Sequence, residues 1–340
     1  MDTSRISFSR AILLLSSAQM RAAAILGLGC SPKNVKPFQT ANNIEWLIGM
    51  PASPDDADAI LLFGGDGTIH RHLGQLVKLG LPVLVVPAGS GNDFANSLGL
   101  GRVHDSLAAW RKFCEDGGNV RAIDLGIVTS LATVKGAGFS IHGSEVHTSG
   151  NTVQKRGTGP ASVLDGTYFC CVAGVGLDGE VARRANQLPR WLRGNGGYVL
   201  SLVPTIFSFA PFRLKVLVPR DEEPAGDGWN IGRDQPAVMA AFANTPLYGG
   251  GMKVAPQAKM DDGRLDVCLV GGVGPFKLFC MFPTVYAGKH LKIREVDYFQ
   301  GTRFRVETEP ALDVYADGEF VCRTPAEISI QAAALRVVIP

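Results

Sequence analysis

Three short stretches carry side chains that could do chemistry. The first is FGGDGT, Phe63–Thr68, which follows the apolar run Ala59–Phe63 and precedes a helical pattern of Ile69, Leu73, Leu76 and Val77. Gly64, Gly65 and Gly67 allow a tight turn with exposed backbone N–H groups, and a helix start adds positive potential. Such a turn binds phosphate. Asp66 stands among the glycines, where a carboxylate repels phosphate unless Mg²⁺ lies between them. The plainer alternative is a strand–turn–helix joint capped by Asp66 or Thr68. The second stretch, PAGSGNDFA (Pro87–Ala95), again follows an apolar run, Leu81–Val86, and leads into a short helix. Gly89 lets the backbone approach a ligand; Ser90 and Asn92 are candidates to hydrogen-bond phosphate or ribose, and Asp93 to cap the helix. The third is ADGE, Ala316–Glu319, two acids across a glycine. Taken alone, it is a solvated turn between strands.

Two successive strand ends with Gly-rich loops on one sheet edge make a nucleotide crevice, because ligands of open α/β sheets bind at the carboxyl ends of strands. No G-x-x-x-x-G-K-[ST] occurs, which excludes a P-loop enzyme. GVGLDG, Gly174–Gly179, matches G-x-G-x-x-G, but a dinucleotide fingerprint also needs an acid about 20 residues on. After Glu180 the next acid is Asp221, so these glycines are expected to form a strand-to-helix turn. His70 and His72 sit two apart, off a common helix face, which argues against a metal there.

The elements that must position these groups change style along the chain. From Ala22 to Leu125, the runs RAAAILGLG, AILLF and LPVLVV alternate with helical patterns such as Asp105–Glu115, which predicts a doubly wound parallel sheet. Beyond it come short β-rich runs separated by Gly, Pro and Asp: AIDLGIVT, GTYFCCVAG, FRLKVLVP, AVMAAFANT, RLDVCLVGG, RFRVET, LDVYADGEFV and LRVVIP. Regular turn signals between them predict a sandwich or barrel. A helical excursion over about Asp178–Phe209 interrupts it, and Gly136–Gly166 is expected to be a mobile loop. The expected organisation is a nucleotide-binding α/β domain over residues 1–125 and a mostly β domain over residues 126–340.

Composition narrows the class. Charged residues are 19% and mean hydropathy is +0.13, which excludes a disordered chain. Forty-one of 340 residues are glycine without a three-residue period, which excludes collagen. A net charge of +2 argues against nucleic acid as a partner. Seven cysteines without a C-x-x-C pair fit a reducing cytoplasm better than a disulfide or zinc framework. The uncharged runs Gly194–Phe212 and Gln235–Met252 are broken by glycine and proline, so no transmembrane segment is expected. The apolar stretch Ile12–Leu15 is too short for a signal peptide. Between Glu180 and Asp221 lie seven Lys/Arg, no acid, Trp191 and the apolar run Tyr198–Phe212. That text suits transient docking on an anionic membrane surface, or equally a packed helix with a solvated basic face.

GGDGT with PAGSGNDFA resembles the diacylglycerol kinase catalytic family, which includes bacterial lipid kinases, sphingosine kinases and ceramide kinases. GVGLDGEV is similar to the family's Gly-x-Gly-x-Asp stretch. NTPLYGGGMKVAPQAKMDDGRLDV resembles its N-x-x-x-x-G-G-G…P-x-A…D-G-x-L segment, and the chain ends in ADGE and LRVVIP as in the family. The resemblance runs from about Ala22 to Pro340. It implies a nucleotide domain and a β-sandwich with the active site between them, the last strand returning to the first domain. It also implies transfer of the γ-phosphoryl of ATP to a lipid hydroxyl, with diacylglycerol as the expected acceptor. By motif position, Gly64, Gly65, Asp66, Gly67, Thr68, Ile69 and His70 would hold ATP phosphates, with Asp66 close to the catalytic Mg²⁺. Gly89, Ser90 and Asn92 would add ATP contacts. Glu319 matches the proton acceptor, and Asp317 is a neighbouring carboxylate for metal or base orientation. A structural Mg²⁺ would take the Asp262 side chain and the carbonyls of Lys259 and Arg264; Asp261 and Asp262 equally suit a type I turn.

The chain departs from the family's text in places. Asn-Glu usually follows GGDGT two residues on, whereas Ile69-His70-Arg71-His72 stands here, and Cys171 stands where the family often has Asn. GGDGT alone would also fit an NAD kinase, but such enzymes lack PAGSGNDFA and ADGE. A nucleotide- or lipid-binding protein with little catalysis is the third reading. It is opposed by the presence of Asp66, Asp317 and Glu319.

Overall fold

The computed structural model describes residues 19–39, 44–131, 166–187, 197–220 and 228–340. Ile12–Leu15, nearly all of the Gly136–Gly166 stretch, and Arg190, Trp191 and Arg193 lie outside the described residues.

Four strands pair in parallel in the order β2-β1-β3-β4: β1 (Arg21–Leu26), β2 (Glu45–Ile48), β3 (Ala59–Gly64) and β4 (Val83–Pro87). β3 and β4 are buried along their whole length. A central parallel strand has no solvent face, which is why both read as unbroken apolar runs. β2 is a largely exposed edge whose text, EWLI, carries no such run and was not foreseen. After β3, helix α1 (Asp66–Leu79) buries Ile69, Leu73 and Leu76 and stops at Gly80, whose φ of 62° favours a residue without Cβ. A short helix, α2 (Asp93–Ser97), follows β4. Helix α3 (Val103–Asp116) buries Trp110, whose indole N–H donates to the Phe38 carbonyl at 3.1 Å.

The rest is mostly antiparallel: β5 (Val120–Ser130), β6 (Thr167–Phe169), β7 (Val172–Gly176), β8 (Phe212–Pro219), β9 (Trp229–Ala243), β10 (Leu265–Gly271), β11 (Val296–Gly301), β12 (Arg303–Glu309), β13 (Asp313–Ala316), β14 (Glu319–Arg323) and β15 (Ala326–Val338). Phe169, Leu214, Val216, Phe242, Phe304 and Ile328 form its core. The helical excursion resolves into α4 (Leu177–Gln187) and α5 (Gly197–Ser208), and helices α6 (Pro275–Met281) and α7 (Pro283–Tyr286) pack near them. Among the described residues, no helix is long and apolar enough to cross a membrane.

Two of the β-rich runs are each divided into two strands. GTYFCCVAG breaks at Cys170–Cys171, where the backbone N–H groups turn to a carboxylate. LDVYADGEFV is a hairpin of β13 and β14 closed by Asp317 (φ 49°) and Gly318 (φ 85°). Positive φ at both central residues is the two-residue turn that matches strand twist, and Asp-Gly is a preferred pair for it.

β15 belongs to both regions. Its first residues pair with β12 and with β5, while Val337 pairs in parallel with Val83 of β4. Between these lies a register break at Gln331–Leu335, with Ala333 at φ 51°. The buried Asp124 of β5 holds this break, its carboxylate accepting from the N–H groups of Ala333 (2.8 Å) and Gly263 (2.7 Å). Asn244, fully buried after β9, donates through Nδ2 to the carbonyls of Asp124 (2.8 Å) and Cys170 (3.1 Å).

Asn244→Ala leaves those two carbonyls without a donor, a loss of about 2–4 kcal/mol. Asn244→Asp sets a carboxylate against them and is expected to cost more. Urea midpoints should rank wild type above the Ala variant and the Ala variant above the Asp variant; equal midpoints would remove Asn244 from this role.

Candidate active site

Glycine sets the geometry where the two Gly-rich turns meet. A Cβ on Gly65 would lie 2.8 Å from the Gly89 Cα, and one on Gly89 would lie 2.5 Å from the Gly65 Cα. The turns therefore touch backbone to backbone, which a side chain at either position would prevent. Gly65 is the N-cap of α1 and offers no side-chain cap. A helix start without a side-chain cap is chemically suited to an anion.

Asp66 is the first residue of α1, and its carboxylate accepts from the N–H groups of Asp93 and Phe94, both at 3.1 Å. It ties the start of α1 to the start of α2. Burial raises its pKa to about 6, with the Asp93 and Asp317 charges adding to the rise and the N–H bonds opposing it. Asn92 and Asp93 do other work than expected. The Asn92 side chain is spent within its own turn, accepting from the Gly89 N–H and donating to the Gly89 carbonyl at 2.8 Å each. Asp93 is not the cap; Asn92 occupies that position with φ 54°. The buried Asp93 carboxylate instead accepts from the N–H groups of Gly250 (2.8 Å) and Gly251 (2.9 Å), and burial raises its pKa. Ser90 is exposed at the tip of the turn.

The β13–β14 turn meets this assembly from the other side. The Asp317 side chain is fully buried and accepts from the N–H groups of Cys170 (2.9 Å), Cys171 (2.8 Å) and Val172 (3.2 Å). His70 Nδ1 lies 3.2 Å from the same carboxylate, so α1 and the hairpin are joined by a contact that sequence spacing does not announce. Glu319, two residues on, is exposed, and its Oε1 would lie 3.4 Å from a Cβ on Gly67. Glu319 therefore faces the first turn of α1. Arg71 is exposed.

Gly64, Gly65, Asp66, Gly67, Thr68, Ile69, His70, Gly89, Asn92, Asp317 and Glu319 thus fall into one neighbourhood. Lys259, Asp262 and Arg264 do not join it. They occupy an exposed turn in which the Arg264 N–H donates to Asp262 Oδ1 at 3.0 Å and Asp261 pairs with Arg121.

Sequence reading missed a cavity beside the junction. Apolar side chains that include Leu202, Ile206, Met239, Met281 and Val285 line a partly open pocket. Asp178 and Tyr248 also line it, hydrogen-bonded to one another. Tyr248 lies two residues before Gly250, so one segment borders the cavity and also reaches Asp93. The Gly-x-Gly-x-Asp and Gly-Gly-Gly texts were the available signals.

Asp93→Ala leaves the Gly250 and Gly251 N–H groups unpaired, a loss of about 2–3 kcal/mol. Amide exchange across residues 248–252 should accelerate while exchange in β3 is unchanged. Unaltered exchange at 248–252 would mean that this joint is held elsewhere.

Residues 37–128 match the diacylglycerol kinase catalytic domain, and residues 171–339 match the YegS C-terminal NAD kinase beta sandwich-like domain. The chain is 31% identical over 283 residues to a diacylglycerol kinase of Mycobacterium tuberculosis, covering 83% of this chain and 77% of that protein. It is 24% identical over 285 residues to a diacylglycerol kinase of Bacillus subtilis, covering 83% and 78%. Its fold is similar to the crystal structure of a diacylglycerol kinase from Bacillus anthracis, with TM-score 0.58, 17% identity and coverage of 96% and 98%. The chain therefore belongs to the diacylglycerol kinase family of lipid kinases, phosphotransferases that act on an alcohol group.

Proposed function

We propose that the protein transfers the γ-phosphoryl group of ATP to the hydroxyl of a diacylglycerol-type lipid, using Mg²⁺, at the cytoplasmic face of a membrane. The observation that carries this reading is the apolar cavity next to the glycine turns. Its lining is predominantly apolar, and its Asp178–Tyr248 pair offers a polar end to an otherwise apolar guest. A dinucleotide acceptor finds no such match in an apolar cavity.

Phosphoryl transfer asks mainly for positioning, charge neutralisation and a proton acceptor. The uncapped start of α1 supplies positive potential for the phosphates. Asp66, Asp93 and Asp317 gather oxygen donors and unbalanced negative charge, which fits a hard divalent cation, and Asp66 is the residue that would hold it. Mg²⁺, when bound, would offset phosphate charge. Glu319 reaches the same turn and accepts the proton of the lipid hydroxyl, while Asp317 anchors the turn that carries it. The nucleotide-binding part is assigned to residues 1–125, joined by the last strand, and the acceptor part to residues 126–340.

The helices over the cavity also face outward. α5 and α6 direct Leu202, Ile206, Leu278 and Met281 inward, whereas Phe207 is 55% and Phe276 74% exposed. Phe279 packs on Phe207 with ring centroids 5.8 Å apart. An aromatic surface above an apolar pocket suits transient contact with a bilayer.

Glu319→Gln should fold normally and lose about 10²–10⁴-fold in turnover. The assay is transfer of labelled γ-phosphate from Mg²⁺-ATP to detergent-dispersed diacylglycerol, other lipid alcohols and NAD. Label in NAD rather than lipid, or an unchanged rate in the variant, would overturn the reading. Phe207→Ser with Phe276→Ser should reduce sedimentation with anionic vesicles while leaving ATP binding unchanged. Equal sedimentation of variant and wild type would move membrane contact to another face.

A further inference from the structure

The broken strand that anchors Asp317 places two thiols beside its carboxylate. Cys170 and Cys171 are adjacent in sequence and buried, at 0% and 3% exposure. Their sulfurs are 3.9 Å apart, and Cys170 Sγ lies 3.4 Å from Asp317 Oδ2. One ligand atom from each of the three residues falls within 4.8 Å of the others.

The geometry points to a binding site for a thiophilic divalent cation, Zn²⁺ or Cd²⁺, formed by Cys170 Sγ, Cys171 Sγ and an Asp317 oxygen. Tetrahedral zinc, with bonds of about 2.3 Å to sulfur and about 2.1 Å to oxygen, sets two sulfurs about 3.8 Å apart and sulfur about 3.6 Å from oxygen. The sulfur–sulfur distance of 3.9 Å and the Cys170 Sγ–Asp317 Oδ2 distance of 3.4 Å lie close to these values. Two sulfurs and one carboxylate oxygen favour a soft or borderline ion over Mg²⁺, so this site is distinct in chemistry from the oxygen-only set around Asp66. Two thiols give up two protons as one divalent ion enters, which balances charge and makes capture stronger as pH rises. Burial holds the Cys170 thiol well above its usual range, so the ion must compete with protons there. A cation on Oδ2 also competes with His70 for that oxygen.

The test uses the full chain, reduced and stripped of metal, and titrated with Cd²⁺ alone. The ultraviolet thiolate-to-cadmium band should rise to saturation at one equivalent. Its amplitude should be lost in Cys170→Ala with Cys171→Ala. Those substitutions keep the backbone N–H groups that hold Asp317, and the melting temperature checks the fold. The other five cysteines remain as an internal control. Cadmium-113 NMR of the wild-type protein gives an independent reading, with a shift expected for two sulfur ligands. No saturating band in the wild type, the same band in the double variant, or a shift of oxygen-only coordination would each overturn the site.

Discussion

A carboxylate can be taken out of water only where donors replace the lost hydration. That constraint organises this protein. Asp66, Asp93, Asp124 and Asp317 each sit where two or more elements converge, and each is compensated by backbone N–H groups. Among the described residues, none of the four forms an ion pair with Lys or Arg. Amide donors are fixed by the backbone, so these joints tolerate little change in angle. The glycine turns, the β13–β14 hairpin and the segment bordering the cavity are thereby held in one arrangement.

The same solution leaves the centre of the site short of positive charge. Amide dipoles hold the carboxylates in place but do not neutralise them, and Asp66 is pushed up to about 6 where Asp93 and Asp317 add to the effect of burial. Under the proposed function, a bound cation would offset that charge. Ground-state strain need not be invoked; the charge pattern alone favours a ligand that brings a metal with it.

What was legible in the chain was local. β3 and β4 announced themselves because full burial demands continuous apolar text, and the glycine turns because close backbone approach excludes side chains. The partners of those turns were not legible. Asp93 directly follows a helix-starting asparagine, so local preference assigns it a cap; its actual donors, Gly250 and Gly251, lie far along the chain. Asp317 read as a catalytic neighbour because it sits in a motif. Its donors come from a strand break at Cys170–Cys171, which the run GTYFCCVAG conceals because both cysteines are compatible with a buried strand. β2 escaped notice for the opposite reason, since an exposed edge of four residues carries no periodic signal.

β15 has a consequence for how the protein comes into being. Near its end, Val337 extends the parallel sheet beside Val83, which lies far earlier in the chain. A ribosome that has finished the α/β text has not yet made the strand that closes its sheet beside β4. Independent domains emerging in order can fold one after another during synthesis. Here one edge of β4 stays without its strand partner until translation has passed β15. A nascent chain of this design leaves its first sheet one strand short until β15 has been made.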